Sequence, residues 1–80
     1  MRACRFPASR TIDRAAFDAA RQTLTITFRE TGKYVYEQVP AEIFDALCAA
    51  PSAGAFFNAA IKIRFAYRRD PERRRFGPSG

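Results

Sequence analysis

The sequence predicts a small α+β domain in which two short helices pack on one face of an antiparallel β-sheet. Residues 23–28 alternate strictly, so their apolar side chains fall on one face of a strand. Tyr34 and Tyr36 lie two residues apart on the expected return strand and share a face. Residues 41–50 and 53–61 then space their apolar side chains as helices do. With 80 residues, the chain is long enough for one domain.

The first part of the chain gives the weakest signal. Residues 1–8 contain Pro7 and show no period, which predicts a loose N-terminal lead-in. Residues 9–17 alternate weakly and carry only Ile12 and Phe17 as large apolar residues. They predict a short strand at an edge of the sheet. The predicted domain therefore spans residues 9–68.

A hairpin follows, with Glu30-Thr31-Gly32 as its predicted turn. Gly32 can adopt the left-handed conformation that the β-branched Thr31 resists. This turn predicts three facing pairs: Arg29 with Lys33, Phe28 with Tyr34, and Ile26 with Tyr36. The tyrosine rings then lie on the face that the helices cover, whereas a slip of one residue would move them to the threonine face.

Prolines delimit the predicted helices. Pro40 suits the start of the helix over residues 41–50, and Pro51 ends it. Ser52 is a predicted N-cap for the helix over residues 53–61. After Ile61 the apolar period becomes alternating, which predicts an extended segment over residues 62–68. Residues 69–80 combine charge, proline and glycine without a period and predict a disordered basic tail.

No catalytic constellation is visible in the sequence. Histidine is absent, the glycines are dispersed and the carboxylates are scattered, so we expect no enzyme activity, no cofactor and no metal. Cys4 and Cys48 are compatible with one disulfide, but we expect free thiols, with Cys48 a small core residue. The chain has no run of about 20 apolar residues and no signal peptide, so we expect a cytoplasmic location without membrane contact.

Positive charge is concentrated near the C-terminus. The formal net charge is +6, and residues 62–75 hold seven basic side chains against two acidic ones. Such a patch is typical of proteins that bind polyanions, although a solvated strand face would give the same pattern. The candidate nucleic-acid contacts are the basic residues of this stretch and the two hairpin tyrosines: Lys62, Arg64, Arg68, Arg69, Arg73, Arg74, Arg75, Tyr34 and Tyr36.

Two blocks of the sequence resemble the KTSC domain, a small domain found at the C-terminus of some lysyl-tRNA synthetases and as a stand-alone bacterial protein. They are Tyr34-x-Tyr36-x-x-Val39-Pro40 and Ser52-x-Gly54-x-x-Phe57-Asn58. The resemblance covers residues 9–67 and departs from the family at Phe17 and Phe65, where tyrosine is usual. It implies a compact α+β module without catalytic residues, and the synthetase context suggests RNA.

Charge and resemblance together predict a non-catalytic module that binds the backbone of tRNA or a similar RNA. In this hypothesis the basic stripe contacts phosphates, and exposed tyrosines stack on bases. The alternative is a protein-interaction or assembly module that uses a sheet edge or the Phe56-Phe57 pair and has no nucleic-acid role. We expect a monomer or a weak homo-oligomer.

Overall fold

The structure is a computed structural model and describes residues 1–69. Its elements in chain order are β1 (Arg2–Arg5), β2 (Ile12–Asp18), β3 (Thr23–Phe28), β4 (Gly32–Tyr36), α1 (Ala41–Ala49), α2 (Ala53–Ala60) and β5 (Tyr67–Arg69). The strands form one antiparallel sheet in the order β1-β2-β3-β4-β5, so each strand pairs with its neighbour in sequence. The predicted α+β class, with an antiparallel sheet and two helices, is confirmed.

The core lies between the helices and one face of the sheet. Leu24 and Ile26 of β3 are fully buried, and the intervening threonines lie on the opposite face. Both helices bury apolar side chains against this surface, namely Phe44 and Leu47 from α1 and Ala53 and Phe57 from α2. Burial of these apolar surfaces is the main stabilising contribution to the fold.

The hairpin has the predicted faces but a different register. Phe28 pairs with Gly32 and Ile26 pairs with Tyr34, two residues away from the prediction. Gly32 does adopt the left-handed conformation, with a φ of 96°. The turn comprises residues 29–31, one position earlier than predicted, and on the β2 side of the strand Arg29 donates its backbone N–H to the carbonyl oxygen of Thr11 (2.9 Å). A shift of two residues preserves the face, so Tyr34 and Tyr36 still point toward the helices.

The lead-in predicted for residues 1–8 contains a strand instead. Arg2–Arg5 forms β1, which pairs with β2 and occupies the edge of the sheet, so the prediction of a loose segment is wrong for these residues. β2 pairs with strands on both sides and is not at an edge. The sequence of β1 lacks alternation because the strand is largely exposed, so apolar residues were not required there.

Cys4 and Cys48 form a disulfide, which corrects the prediction of free thiols. Cys4 lies on β1 and Cys48 on α1, and their Cα atoms are 6.3 Å apart, a normal distance for a disulfide. The sequence favoured free thiols because nothing in it indicates an oxidising compartment. The bond joins the edge strand to the helix layer across 44 positions of sequence.

Both helices have the predicted limits within one residue, and Ser52 caps α2. Its hydroxyl accepts a hydrogen bond from the backbone N–H of Ala55 (3.3 Å). Neither helix in residues 1–69 has the length and apolarity that a membrane span needs.

The segment after α2 is mostly a turn, which corrects the prediction of an extended segment over residues 62–68. Ile61 is buried but Ile63 is 82% exposed, so the alternation does not mark the two sides of a strand. Backbone N–H groups of Arg64 and Phe65 donate to the carbonyl oxygen of Ile61, which makes the turn. Only Tyr67–Arg69 is a strand. The predicted disordered tail began at Arg69, but Arg69 belongs to β5, and residues 70–80 lie outside the described residues.

Candidate functional site

An open cleft of about 320 Å³ lies between the β4–β5 edge of the sheet and the turn that follows α2. We call it the aromatic cleft. Its apolar lining consists of Phe28, Tyr34, Tyr36, Phe57, Ile63 and Tyr67. Two of these residues are largely exposed, Ile63 at 82% and Tyr67 at 57%. Among residues 1–69, the only other large apolar side chain so exposed is Met1. Adjacent exposed apolar side chains that line a cleft indicate a binding surface more strongly than isolated ones do.

The rings of the cleft form a connected set. Tyr67 lies opposite Tyr36 in the sheet, and its ring centroid is 5.4 Å from that of Tyr36 and 5.6 Å from that of Tyr34. Below them, Phe57 packs edge-on against Tyr36 and Phe28, with centroids 5.6 Å and 5.2 Å apart. These separations are typical of stabilising aromatic pairs. The buried rings therefore fix the position of the exposed face of Tyr67.

Two cations stand at the rim of the aromatic cleft. Lys62 lies in the turn after α2 and lines the cleft. Arg69 lies on β5, where its guanidinium is 5.7 Å from the centre of the Tyr34 ring and donates to the carbonyl oxygen of Thr31 (2.8 Å). Within residues 1–69, neither cation forms an ion pair with a carboxylate. Both cations therefore add positive charge to the rim of the aromatic cleft.

The pKa of Tyr36 is raised because its side chain is packed inside the aromatic cleft. Burial raises the pKa of Tyr36 from 10.0 to about 12, and negative charge on Tyr67 and Tyr34 adds to the effect. Because the folded state resists deprotonation, this group favours folding below pH 10 and that contribution is lost between pH 10 and about 12.

In an alkaline titration followed by phenolate absorbance, Tyr36→Phe should remove the component with a midpoint near 12. A variant that keeps this component would contradict the assignment to Tyr36.

The predicted site residues do not all come together. Lys62, Arg69 and Tyr34 meet at the aromatic cleft, and Tyr36 is there but 4% exposed. Arg68 lies on the opposite face of the sheet, beside Val35, and its guanidinium pairs with the Glu37 carboxylate (3.1 Å).

The remaining predicted contacts are not part of the cleft as described. Arg64 is exposed in the turn after α2 and does not line the cleft. Arg73, Arg74 and Arg75 lie outside the described residues. The continuous basic stripe predicted for residues 62–69 is therefore divided between a turn and two faces of a short strand.

Sequence reasoning did not select several residues of the cleft. Tyr67 was visible beside the basic residues, and its spacing of two from Arg69 is the signal that places both on one face of a strand. Ile63 falls in the segment that was predicted to be extended, and the turn explains its exposure. Among residues 1–69, no group of three or more cysteine or acidic residues could hold a metal ion.

Two comparisons with known proteins identify the same family. The family model described as KTSC domain matches residues 8–65. A crystal structure of a KTSC domain protein from Yersinia pestis is similar to this chain, with a TM-score of 0.81 and 32% sequence identity. The match covers 86% of this chain and 96% of that one. The fold is therefore shared over nearly the whole length of the Yersinia protein.

Two sequence relatives differ in length. A protein from Tsukamurella paurometabola is 44% identical over 57 residues, which is 71% of this chain and 85% of the relative. A lysine–tRNA ligase from Nostoc punctiforme is 36% identical over 61 residues, which is 76% of this chain but 11% of the ligase. The same sequence pattern thus occurs in a short protein and as a small part of a long one.

Proposed function

This chain belongs to the KTSC domain family, and on that premise we propose that it is a non-catalytic RNA-binding module whose site is the aromatic cleft. One observation carries the proposal: an exposed aromatic ring, Tyr67, is flanked by Lys62 and Arg69, and neither cation pairs with a carboxylate in the described chain. Aromatic rings stack on nucleic-acid bases, and adjacent cations neutralise phosphates.

RNA is the proposed polyanion because of the family context. A segment similar to this chain occurs in a lysine–tRNA ligase, an enzyme named for joining lysine to tRNA. The net charge of +6 favours any polyanion, so it supports this choice without specifying it. We propose a tRNA or a similar RNA as the partner, bound by a monomer or a weak homo-oligomer.

A bacterial, cytoplasmic setting forms part of the proposal, since tRNA is found there. The disulfide favours an oxidising compartment instead, because structural disulfides are uncommon in cytosolic proteins. The proposal therefore rests on the family and on the cleft.

The test is a titration of fluorescently labelled mixed tRNA with the full chain at about 50 mM and about 200 mM salt. We expect binding at the lower salt concentration that weakens steeply at the higher one. Lys62→Ala and Arg69→Ala should each weaken binding and reduce the slope of log affinity against log salt by roughly 0.7–0.9, the value for one lost phosphate contact.

Arg68→Ala is the matched control for Arg69→Ala. The two arginines are neighbours in β5 and lose the same charge, but Arg68 faces away from the cleft and pairs with Glu37. We expect Arg68→Ala to bind as the unaltered protein does. Absence of tRNA binding at both salt concentrations would contradict the proposed function, and equal losses in the two variants would contradict the proposed site.

The alternative of a protein-interaction module loses one of its supports. Phe57 is 6% exposed, and Phe56 packs against the core, so the pair offers little surface to a partner. The exposed apolar side chains lie instead at Ile63 and Tyr67, in the aromatic cleft. If tRNA fails to bind, this cleft is the surface on which a protein partner should be sought.

A further inference from the structure

A second and larger cleft, of about 870 Å³, lies between α2 and the loop that joins β1 to β2. We call it the basic cleft. Three basic residues line it, Arg5, Arg10 and Lys62, and no acidic residue does. Arg10 is exposed and forms no ion pair within residues 1–69. A concave surface with only positive charges attracts anions and concentrates their field.

The wall of the basic cleft formed by residues 6–11 is held in place by hydrogen bonds. Arg29 donates from Nε to the carbonyl oxygen of Ser9 (2.8 Å) and from Nη2 to that of Phe6 (2.9 Å). The Ser9 hydroxyl accepts from the backbone N–H groups of Thr11 (3.2 Å) and Ile12 (3.0 Å). These hydrogen bonds therefore fix the backbone on both sides of Arg10.

The two clefts are adjacent. Phe28, Phe57 and Lys62 line both of them. The aromatic cleft presents exposed aromatic and aliphatic side chains, and the basic cleft adds two further positive charges, Arg5 and Arg10, among small and apolar residues. An extended nucleotide chain combines these two chemistries, since its bases are aromatic and its backbone is anionic.

Resting on the proposed RNA-binding function, we propose that the RNA bound here is single-stranded and occupies both clefts. Its bases stack on Tyr67 in the aromatic cleft, and its backbone continues past Lys62 to Arg10 in the basic cleft. A base inside a duplex has both faces covered by its neighbours and cannot stack on a side chain, so paired RNA would not use the aromatic cleft. For a tRNA, the binding segment would be an unpaired loop or end.

The test compares a labelled single-stranded oligouridylate of about 12 nucleotides with an RNA duplex of equal length, both at low salt. We expect the oligouridylate to bind more tightly than the duplex. Tyr67→Ala should weaken oligouridylate binding roughly 5- to 150-fold, the effect of losing one base–aromatic stack, whereas Tyr67→Phe should retain most of the affinity. Arg10→Ala should weaken binding and lower the salt slope by about 0.7.

Arg21→Ala is the matched control for Arg10→Ala. Arg21 is also exposed, but it lies on the far side of the sheet, near Arg68, and should not affect binding. Equal affinity for duplex and oligouridylate, or equal effects of Arg10→Ala and Arg21→Ala, would overturn this proposal. If mixed tRNA binds but the oligouridylate does not, the single-strand proposal fails while the RNA-binding function stands. Circular dichroism of each variant excludes loss of folding as the cause.

Discussion

Removal of the disulfide by Cys4→Ser should lower the free energy of unfolding by about 4 kcal/mol. The bond closes a loop across 44 positions of sequence, and without it the unfolded chain gains the corresponding conformational entropy. The bond is also the covalent link between the edge strand β1 and the helix layer. Urea unfolding of the oxidised protein, compared with the variant, measures this difference.

Reduced unaltered protein provides the control for Cys4→Ser. It retains both cysteine side chains and lacks only the bond, so its stability in reductant should equal that of the variant within about 1 kcal/mol. Reductant should leave the variant unchanged. Two reactive thiols in the native, unreduced protein would contradict the assignment, as would equal stability with and without reductant.

Phe17→Ala should cost about 3–5 kcal/mol of unfolding free energy, the usual cost of deleting a fully buried phenylalanine ring. Phe17 is 1% exposed, lies on β2 with strands on both sides, and stacks on Phe44 with ring centroids 5.5 Å apart. A domain of this size has a total stability of roughly 4–12 kcal/mol, so the variant should lose a large part of it. Urea or thermal unfolding followed by circular dichroism measures the loss.

Ile63→Ala serves as the comparison for Phe17→Ala. Ile63 is 82% exposed, so the same measurement should change by no more than about 0.5 kcal/mol. Because Ile63 lines the aromatic cleft, its substitution should affect RNA binding instead. A loss of stability at Ile63 comparable to that at Phe17 would show that the turn after α2 is packed more tightly than the structure describes.

Local sequence patterns correctly predicted the strand and the helices whose conformation depends mainly on their own residues. The alternation of Thr23–Phe28 and the apolar spacing of the helices each specify a structure together with its buried face. Tyr36 was assigned to the correct face although the register was wrong by two residues, since such a shift preserves the side of the sheet.

Contacts between distant parts of the chain account for the errors. Arg29 lies in the hairpin turn and contacts Thr11, Ser9 and Phe6, which are distant in sequence. Short edge strands such as β1 bury little and so leave no periodic signal. The sequence was compatible with the disulfide, but the placement of Cys4 beside α1 depends on that strand.

The candidate site was predicted only in part for the same reason. Lys62, Arg69 and Tyr34 were selected by charge and residue type, and the structure brings them together. Arg68 was selected on the same grounds, but it is adjacent to Arg69 in β5, so the two side chains lie on opposite faces of the sheet. Arg10 and Lys62 are distant in sequence, and only the folded chain places them along one cleft.

The hydrogen bonds of Arg29 to the loop of residues 6–11 have a consequence for the speed of binding. A surface loop that must order itself when a ligand arrives adds an entropic cost and slows capture. Here the carbonyl groups of Phe6 and Ser9 are already held by one guanidinium. A ligand of the basic cleft should therefore associate in a single step at a rate set by charge and diffusion, with its lifetime on the protein determining affinity.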